Sequence, residues 1–243
     1  MTEPLFGGQR REFAPGAVHV PGWLDVEQQR QLVEACREWA RGPVPMRAAE
    51  LPSGHRMSVR TVCLGWHWRP YAYSRTADDV DGARVADFPA WLGEWGRAAV
   101  IEAYGADAGF GPGARGYRPD TALINFYDEG ARMGMHRDVD ERTSDPVVSL
   151  SLGDRCVFRF ATTENRAGPR TDIALESGDL VVFGGPSRFA YHGVPAVRPG
   201  TADPRIGLRR GRLNITMRVT GMSDGPRSPD GLGMPDSPQW TER

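Results

Sequence analysis

From Thr121 onward the chain reads as short, partly alternating apolar runs: TALINFY, RMGMHRD, PVVSLSLG, CVFRFAT, TDIALESGDLVVFGG, RFAYHGV and RLNITMRVT. Breaks rich in Gly, Pro and Asp separate them. Period-two alternation bounded by such breaks marks half-buried strands, and several in succession specify a sandwich or barrel. The last run is the most restrictive. GRLNITMRVT puts Arg212, Asn214, Thr216 and Arg218 on one strand face, and Leu213, Ile215, Met217 and Val219 on the other. Two inward guanidinium groups are expensive to bury unless they meet an anion. If the apolar face packs on a helix, the arginine face must look into a barrel. A dicarboxylate there would satisfy a bidentate fork; the alternative is a surface strand with solvated arginines.

The front half reads differently. Residues 1–15, rich in Gly and Arg, are expected as a flexible arm, and AVHVPGWL as a short strand and bend. DVEQQRQLVEACREWARG carries a helix signal: Asp25 as N-cap, Val26, Leu32, Val33, Cys36 and Trp39 at helical spacing, and Gly42 just past the end. Residues 43–87, with the aromatic cluster GWHWRPYAYS, suggest short strands and a long loop. FPAWLGEWGRAAVIEAYG, residues 88–105, predicts a second helix ended by Gly105. The tail after Thr220 is rich in Pro, Gly and Ser and is expected to be disordered. The expected division is an arm at 1–15, one domain at 16–220 (a helical part, 16–120, and a β core, 121–220) and a tail at 221–243.

Bulk properties exclude some classes. A chain of 243 residues, 40% hydrophobic, can bury a real core in one domain or two small ones. A net charge of −1 gives no bulk basic footprint for nucleic acid. All 30 basic residues are arginine, which suits fork-like contacts to carboxylate or phosphate and equally reflects a compositional bias. Cys36, Cys63 and Cys156 are odd in number and widely spaced, against a disulfide framework or a cysteine zinc site. The start, MTEPLFGGQRREF, has no apolar signal core, and no apolar run approaches the roughly 18 residues of a membrane span. A cytoplasmic monomer is the expectation.

MGMHRDVDE places His136, Asp138 and Asp140 at alternate positions. On a strand they would share one face, as a solvated surface or as a site. Of the other histidines, His19, His55 and His67 lie in the front half, and His192 ends the apolar run FAYHGVP 54 residues after Asp138 (192 − 138 = 54). Two His and one carboxylate on one side of a metal is the arrangement of non-haem Fe(II) oxygenases. It leaves positions open for a bidentate co-substrate and O2, which a fully ligated structural zinc does not. The bland alternative is a polar strand face with His192 a satisfied core histidine. In LINFY, Asn125 and Tyr127 share a face, and both can donate to a carboxylate or keto acid.

LINFY, HRDVDE, PVVSLSLG, SGDLVVFGGPSRFAYHGV and RLNITMR together resemble, in order over residues 122–218, the AlkB family of Fe(II)- and 2-oxoglutarate-dependent dioxygenases. MSVRTVCLGW and YAYS fit more loosely in front. The resemblance implies an all-β core with flanking helices (α+β): a double-stranded β-helix, or jelly roll, with N-terminal helices packed on it. It implies Fe(II) held by His136, Asp138 and His192, 2-oxoglutarate contacted by Asn125, Tyr127, Arg212, Asn214 and Arg218, and O2 as the oxidant. The implied activity is oxidative demethylation of bases such as 1-methyladenine and 3-methylcytosine in DNA, releasing formaldehyde, succinate and CO2. Such a base must be flipped into a pocket. The resemblance puts Trp66, Tyr71 and Tyr73 at the substrate lid, Asp140 against the base, Met57 in the pocket wall and Arg166 near a substrate-contacting position. The aromatic cluster could instead simply cover the core. RNA, protein or a small molecule as substrate would need the same iron and co-substrate residues. A binding-only barrel would have no need for them.

Overall fold

The computed structural model describes residues 9–51, 53–108, 113–161, 165–166 and 168–223. Along the chain come β1 (Arg11–Ala14), β2 (Ala17–Val20), α1 (Val26–Trp39), β3 (Arg47–Glu50), β4 (Arg56–Leu64), β5 (His67–Arg69), β6 (Ala72–Ser74) and α2 (Ala90–Tyr104). Then follow β7 (Thr121–Tyr127), β8 (Met133–His136), β9 (Val147–Gly153), β10 (Arg155–Ala161), β11 (Arg170–Leu175), β12 (Leu180–Phe183), β13 (His192–Arg198) and β14 (Arg212–Arg218).

Local chemistry sets the helix ends. At α1 the Asp25 carboxylate accepts from the Gln28 amide at 2.8 Å, and the Gln28 side chain accepts from the Asp25 amide at 2.9 Å. This reciprocal box satisfies two amides that the first turn leaves unpaired. α2 stops at Gly105, whose φ of 87° a residue with a side chain rarely adopts.

Eight strands form one sheet in the order β1-β2-β12-β9-β14-β7-β4-β3, four form a second, β11-β10-β13-β8, and β5 and β6 pair as a separate ribbon. β14 lies antiparallel between β9 and β7, with Asn214 opposite both Ser151 and Asn125. Alternation then sorts the side chains. Leu213, Ile215 and Met217 join Val148, Leu150 and Leu152 of β9, Leu32 and Val33 of α1, and Leu92 and Val100 of α2 in one apolar cluster. From the opposite face, Tyr127, Val147, Val181 and Phe183 meet Phe158, Phe160 and Val194 of the smaller sheet. Full burial of each such side chain contributes roughly 1.5–3 kcal/mol. The polar positions of β14 are left facing the space between the sheets, where a cavity opens.

Three expectations need correction. Arg11–Ala14, inside the supposed flexible arm, forms an edge strand paired with β2. β8 stops at His136, so Asp138 and Asp140 sit on the following loop and owe nothing to a shared strand face. His192 begins β13; the apolar run before it is a turn. Residues 43–87 agree with expectation: four strands, β3 to β6, precede a loop from residue 75 that carries only isolated bridges. The expected disordered tail lies, from residue 224, outside the described residues. Among the described residues no helix is long and apolar enough to cross a membrane.

Candidate metal and co-substrate site

The smaller sheet brings the histidines together. β13 pairs antiparallel with β8, with His192 opposite His136, and the two ring centroids are 4.4 Å apart. Asp138 turns in from the loop after β8. Its Oδ1 is 3.7 Å from His136 Nε2 and its Oδ2 is 3.6 Å from His192 Nε2. One donor atom from each residue lies within 4.8 Å of the others.

The protonation states suit a cation. Nδ1 of His136 donates to the Gly134 carbonyl at 3.0 Å, and Nδ1 of His192 donates to the Ala190 carbonyl at 3.1 Å. Each bond fixes the tautomer that leaves an Nε2 lone pair toward Asp138. Burial pushes the His192 pKa down to about 4, and the neighbouring His136 adds to the effect, so the ring is neutral near pH 7. Burial alone would raise the Asp138 carboxyl, but Arg218, His192 and His136 outweigh it and hold the pKa well below the usual carboxylate range. Asp138 Oδ2 is buried with no hydrogen-bond partner. An imidazole Nε2 from each histidine and an ionised oxygen with an unmet valence fit a divalent iron.

The cavity beside this cluster measures about 440 Å³ and is lined by residues of both sheets. The guanidinium of Arg212 reaches it, although the residue is only 1% exposed. Its Nη2 donates to Ser151 Oγ at 2.9 Å, while Nε and Nη1 have no partner. An arginine this deep with two open donors fits a carboxylate, since leaving it unmatched is costly. Asn125, Tyr127 and Asn214 line the same cavity. Asn125 accepts from the Thr61 hydroxyl at 2.7 Å, and Asn214 donates to Ser149 Oγ at 2.7 Å.

Arg218 is placed otherwise. It lines the cavity, but its Nη2 is 2.8 Å from Asp138 Oδ1, and its Nη1 donates to Tyr73 Oη at 3.0 Å and Glu141 Oε1 at 3.1 Å. Its terminal donors are therefore committed to Asp138 and to groups behind it, while its Nε is buried with no hydrogen-bond partner.

The expected substrate residues divide. Met57, Tyr71 and Asp140 line the cavity, and Tyr71 stands at its rim, 78% exposed, with φ of 71°. Trp66, Tyr73 and Arg166 are not among the lining residues. Trp66 is buried: its indole N–H donates to Asp120 at 3.1 Å, and the Arg75 guanidinium lies 3.9 Å over its ring. Tyr73 donates its hydroxyl to Glu141 at 2.7 Å, and Arg166 is exposed.

Sequence reasoning missed Trp68. It lines the cavity, and its indole N–H donates to Asp140 Oδ2 at 2.8 Å. The motif WHW offered two tryptophans two residues apart, but β5 begins at His67, so Trp66 lies outside the strand and does not share its alternation with Trp68. A Cβ on Gly65, where φ is 75°, would lie 2.0 Å from the Asp120 carbonyl, so the chain bends sharply there. Arg188, buried behind the loop that carries Asp138, was missed as well.

Comparisons with known proteins agree with this geometry. The family model described as "2OG-Fe(II) oxygenase superfamily" matches residues 16–218. The "Alpha-ketoglutarate-dependent dioxygenase AlkB homolog" of Caulobacter vibrioides is 36% identical over 210 residues, covering 84% of this chain and 87% of the relative. "Alpha-ketoglutarate-dependent dioxygenase AlkB" of Escherichia coli is 34% identical over 186 residues, covering 74% of this chain and 80% of the relative. The "DNA N(6)-methyladenine demethylase ALKBH1D" of Arabidopsis thaliana is 31% identical over 225 residues, covering 86% of this chain and 50% of the relative. The chain thus spans about half the length of that plant relative. "The structure of OsALKBH1" superposes with a TM-score of 0.75 at 29% identity, covering 87% of this chain and 100% of that one.

Proposed function

The chain belongs to the AlkB family of Fe(II)/2-oxoglutarate-dependent dioxygenases, and from that premise we propose that it oxidatively demethylates N-alkylated bases in DNA, of the 1-methyladenine and 3-methylcytosine type. Its core is a double-stranded β-helix with the N-terminal helices packed on the large sheet. The observation that carries the reading is the shared cavity: the His136, Asp138 and His192 cluster opens on the same space as Arg212, whose Nε and Nη1 have no partner.

His136 and His192 would hold iron through Nε2 and Asp138 through a carboxylate oxygen. Bound there, Fe(II) and 2-oxoglutarate supply the chemistry by which O2 oxidises an inert C–H bond, leaving succinate and CO2. Arg212 would take the distal carboxylate of the co-substrate, with Asn125, Tyr127 and Asn214 around it. Arg218 contributes by holding Asp138. The C–H step needs no side-chain base. The hydroxylated N-methyl group is a hemiaminal: its O–H proton leaves to water, the N–C bond breaks, formaldehyde departs, and the ring nitrogen of the formerly cationic base keeps the electron pair.

The substrate end is Trp68, Asp140, Met57 and Tyr71. A flipped base can stack on aromatic faces, and a cationic methylated base gains from them. Asp140, held by the Trp68 N–H, would accept from an exocyclic amine. A cytoplasmic monomer acting on DNA, with RNA as a further substrate, completes the proposal.

The test is release of formaldehyde and succinate by purified protein with Fe(II), ascorbate and 2-oxoglutarate. Single- and double-stranded DNA carrying 1-methyladenine or 3-methylcytosine is compared with matched RNA. DNA-dependent formaldehyde supports the proposal. Succinate without formaldehyde on any nucleic acid keeps the oxygenase and removes the substrate.

A further inference from the structure

Arg188 is 1% exposed and lies outside the cavity lining, yet it spends its donors on the loop that carries Asp138. Its Nη1 donates to the Asp138 carbonyl at 2.8 Å, its Nε to the Asp145 carbonyl at 2.7 Å, and its Nη2 to Glu141 Oε2 at 3.0 Å. The other Glu141 oxygen, Oε1, accepts from Arg218 at 3.1 Å, and Arg218 holds the Asp138 carboxylate at 2.8 Å. The contacts close a ring. It runs from the Asp138 carboxylate through Arg218, Glu141 and Arg188 back to the Asp138 carbonyl.

This ring joins separate segments. Asp138, Glu141 and Asp145 belong to residues 137–146, which carry no helix or strand. Arg188 sits in the turn four residues before His192 (192 − 188 = 4). A loop without its own ladder cannot fix a carboxylate to a fraction of an ångström; two buried arginines gripping it at backbone and side chain can. Buried ion pairs of this kind are seldom more stabilising than well-packed apolar residues would be. What they bring here is a defined position for Asp138 relative to His192.

We propose that Arg188, acting with Glu141, is a positioning residue that locks Asp138 against the His192 strand and thereby sets the affinity and geometry of the metal centre. The inference rests on the metal-site reading above.

The experiment is a Co(II) titration of metal-free protein, followed by visible absorption, whose bands report coordination geometry. Wild type is compared with Arg188→Met, Arg188→Lys and Glu141→Gln, each checked for folding by circular dichroism. Arg188→Met is expected to weaken Co(II) binding about 10- to 100-fold, as loss of an outer-shell partner does, and to alter the visible bands. Arg188→Lys should recover part of the affinity, and Glu141→Gln, which keeps the shape, should show an intermediate loss. Wild-type affinity and bands in a folded Arg188→Met protein would overturn the inference. If that variant does not fold, Glu141→Gln decides in the same way. A wild-type chain that binds no Co(II) overturns the metal centre itself, and this inference with it.

Discussion

Arg212 and Arg218 sit on the same face of one strand, and their surroundings give them different work. Arg212 keeps two buried donors open, whereas Arg218 is tied to Asp138, Glu141 and Tyr73. Arg212→Met should therefore raise the KM for 2-oxoglutarate roughly 10- to 100-fold, the value of a hydrogen bond to a charged group, with Co(II) affinity nearly unchanged. Steady-state kinetics against a metal titration separates the two effects. Asp138→Ala should abolish Fe(II)-dependent turnover while the circular dichroism spectrum stays close to wild type; normal turnover would remove the site. The two tryptophans make a sharper pair. Trp68→Phe deletes the N–H that holds Asp140 and should raise the KM for a methylated oligonucleotide by about 5-fold, near 1 kcal/mol, with no change in the KM for 2-oxoglutarate. Trp66→Phe loses its bond to Asp120 and should lower Tm while leaving the oligonucleotide KM alone.

At the level of elements, the decisive contact is between β8 and β13. Gly193 follows His192, and a Cβ there would lie 2.8 Å from the Met133 carbonyl and 2.9 Å from the Gly134 carbonyl. Both are backbone atoms of β8, so they cannot move aside without moving the strand. Gly193→Ala should push β8 away, separate His136 from His192 and weaken Co(II) binding by at least about 10-fold, in line with loss of an outer-shell partner. An unchanged Co(II) titration would show that the sheet absorbs the methyl elsewhere. α1 offers a contrasting test remote from the cavity. Asp25→Ala removes the capping box and should cost about 1 kcal/mol of stability without affecting the metal; denaturant unfolding reads it. These elements also show where period-two reasoning holds. It held for RLNITMR because β14 is paired on both sides from Arg212 to Met217. It failed for HRDVD because β8 ends at His136, and an unpaired loop has no alternation to obey.

For the whole molecule, the two sheets supply cavity walls, and several buried polar atoms between them are unmatched by the protein alone. Asp138 Oδ2, Arg212 Nε and Arg212 Nη1 are the cases in point. Ligands that bind only the folded chain must therefore stabilise it. Mn(II) at 100 times its Kd is expected to add about 2.7 kcal/mol, seen as a rise in Tm that chelation reverses. A further rise with 2-oxoglutarate should be lost in Arg212→Met. An unchanged Tm with both ligands would argue that neither binds. By itself the sequence determined the β-rich core behind two helices, the types and order of the His-Asp-His cluster, and the arginine face of the last strand. These are carried by side-chain identity and by alternation, which are local. Only the tertiary structure decided that Trp68 and not Trp66 reaches the cavity, that Arg212 keeps a terminal nitrogen open while both terminal nitrogens of Arg218 are taken, and that Arg188 and Glu141 brace Asp138. Each of those outcomes depends on which distant segment lies against which, and a partner's position in space is not written in the spacing of residues along the chain.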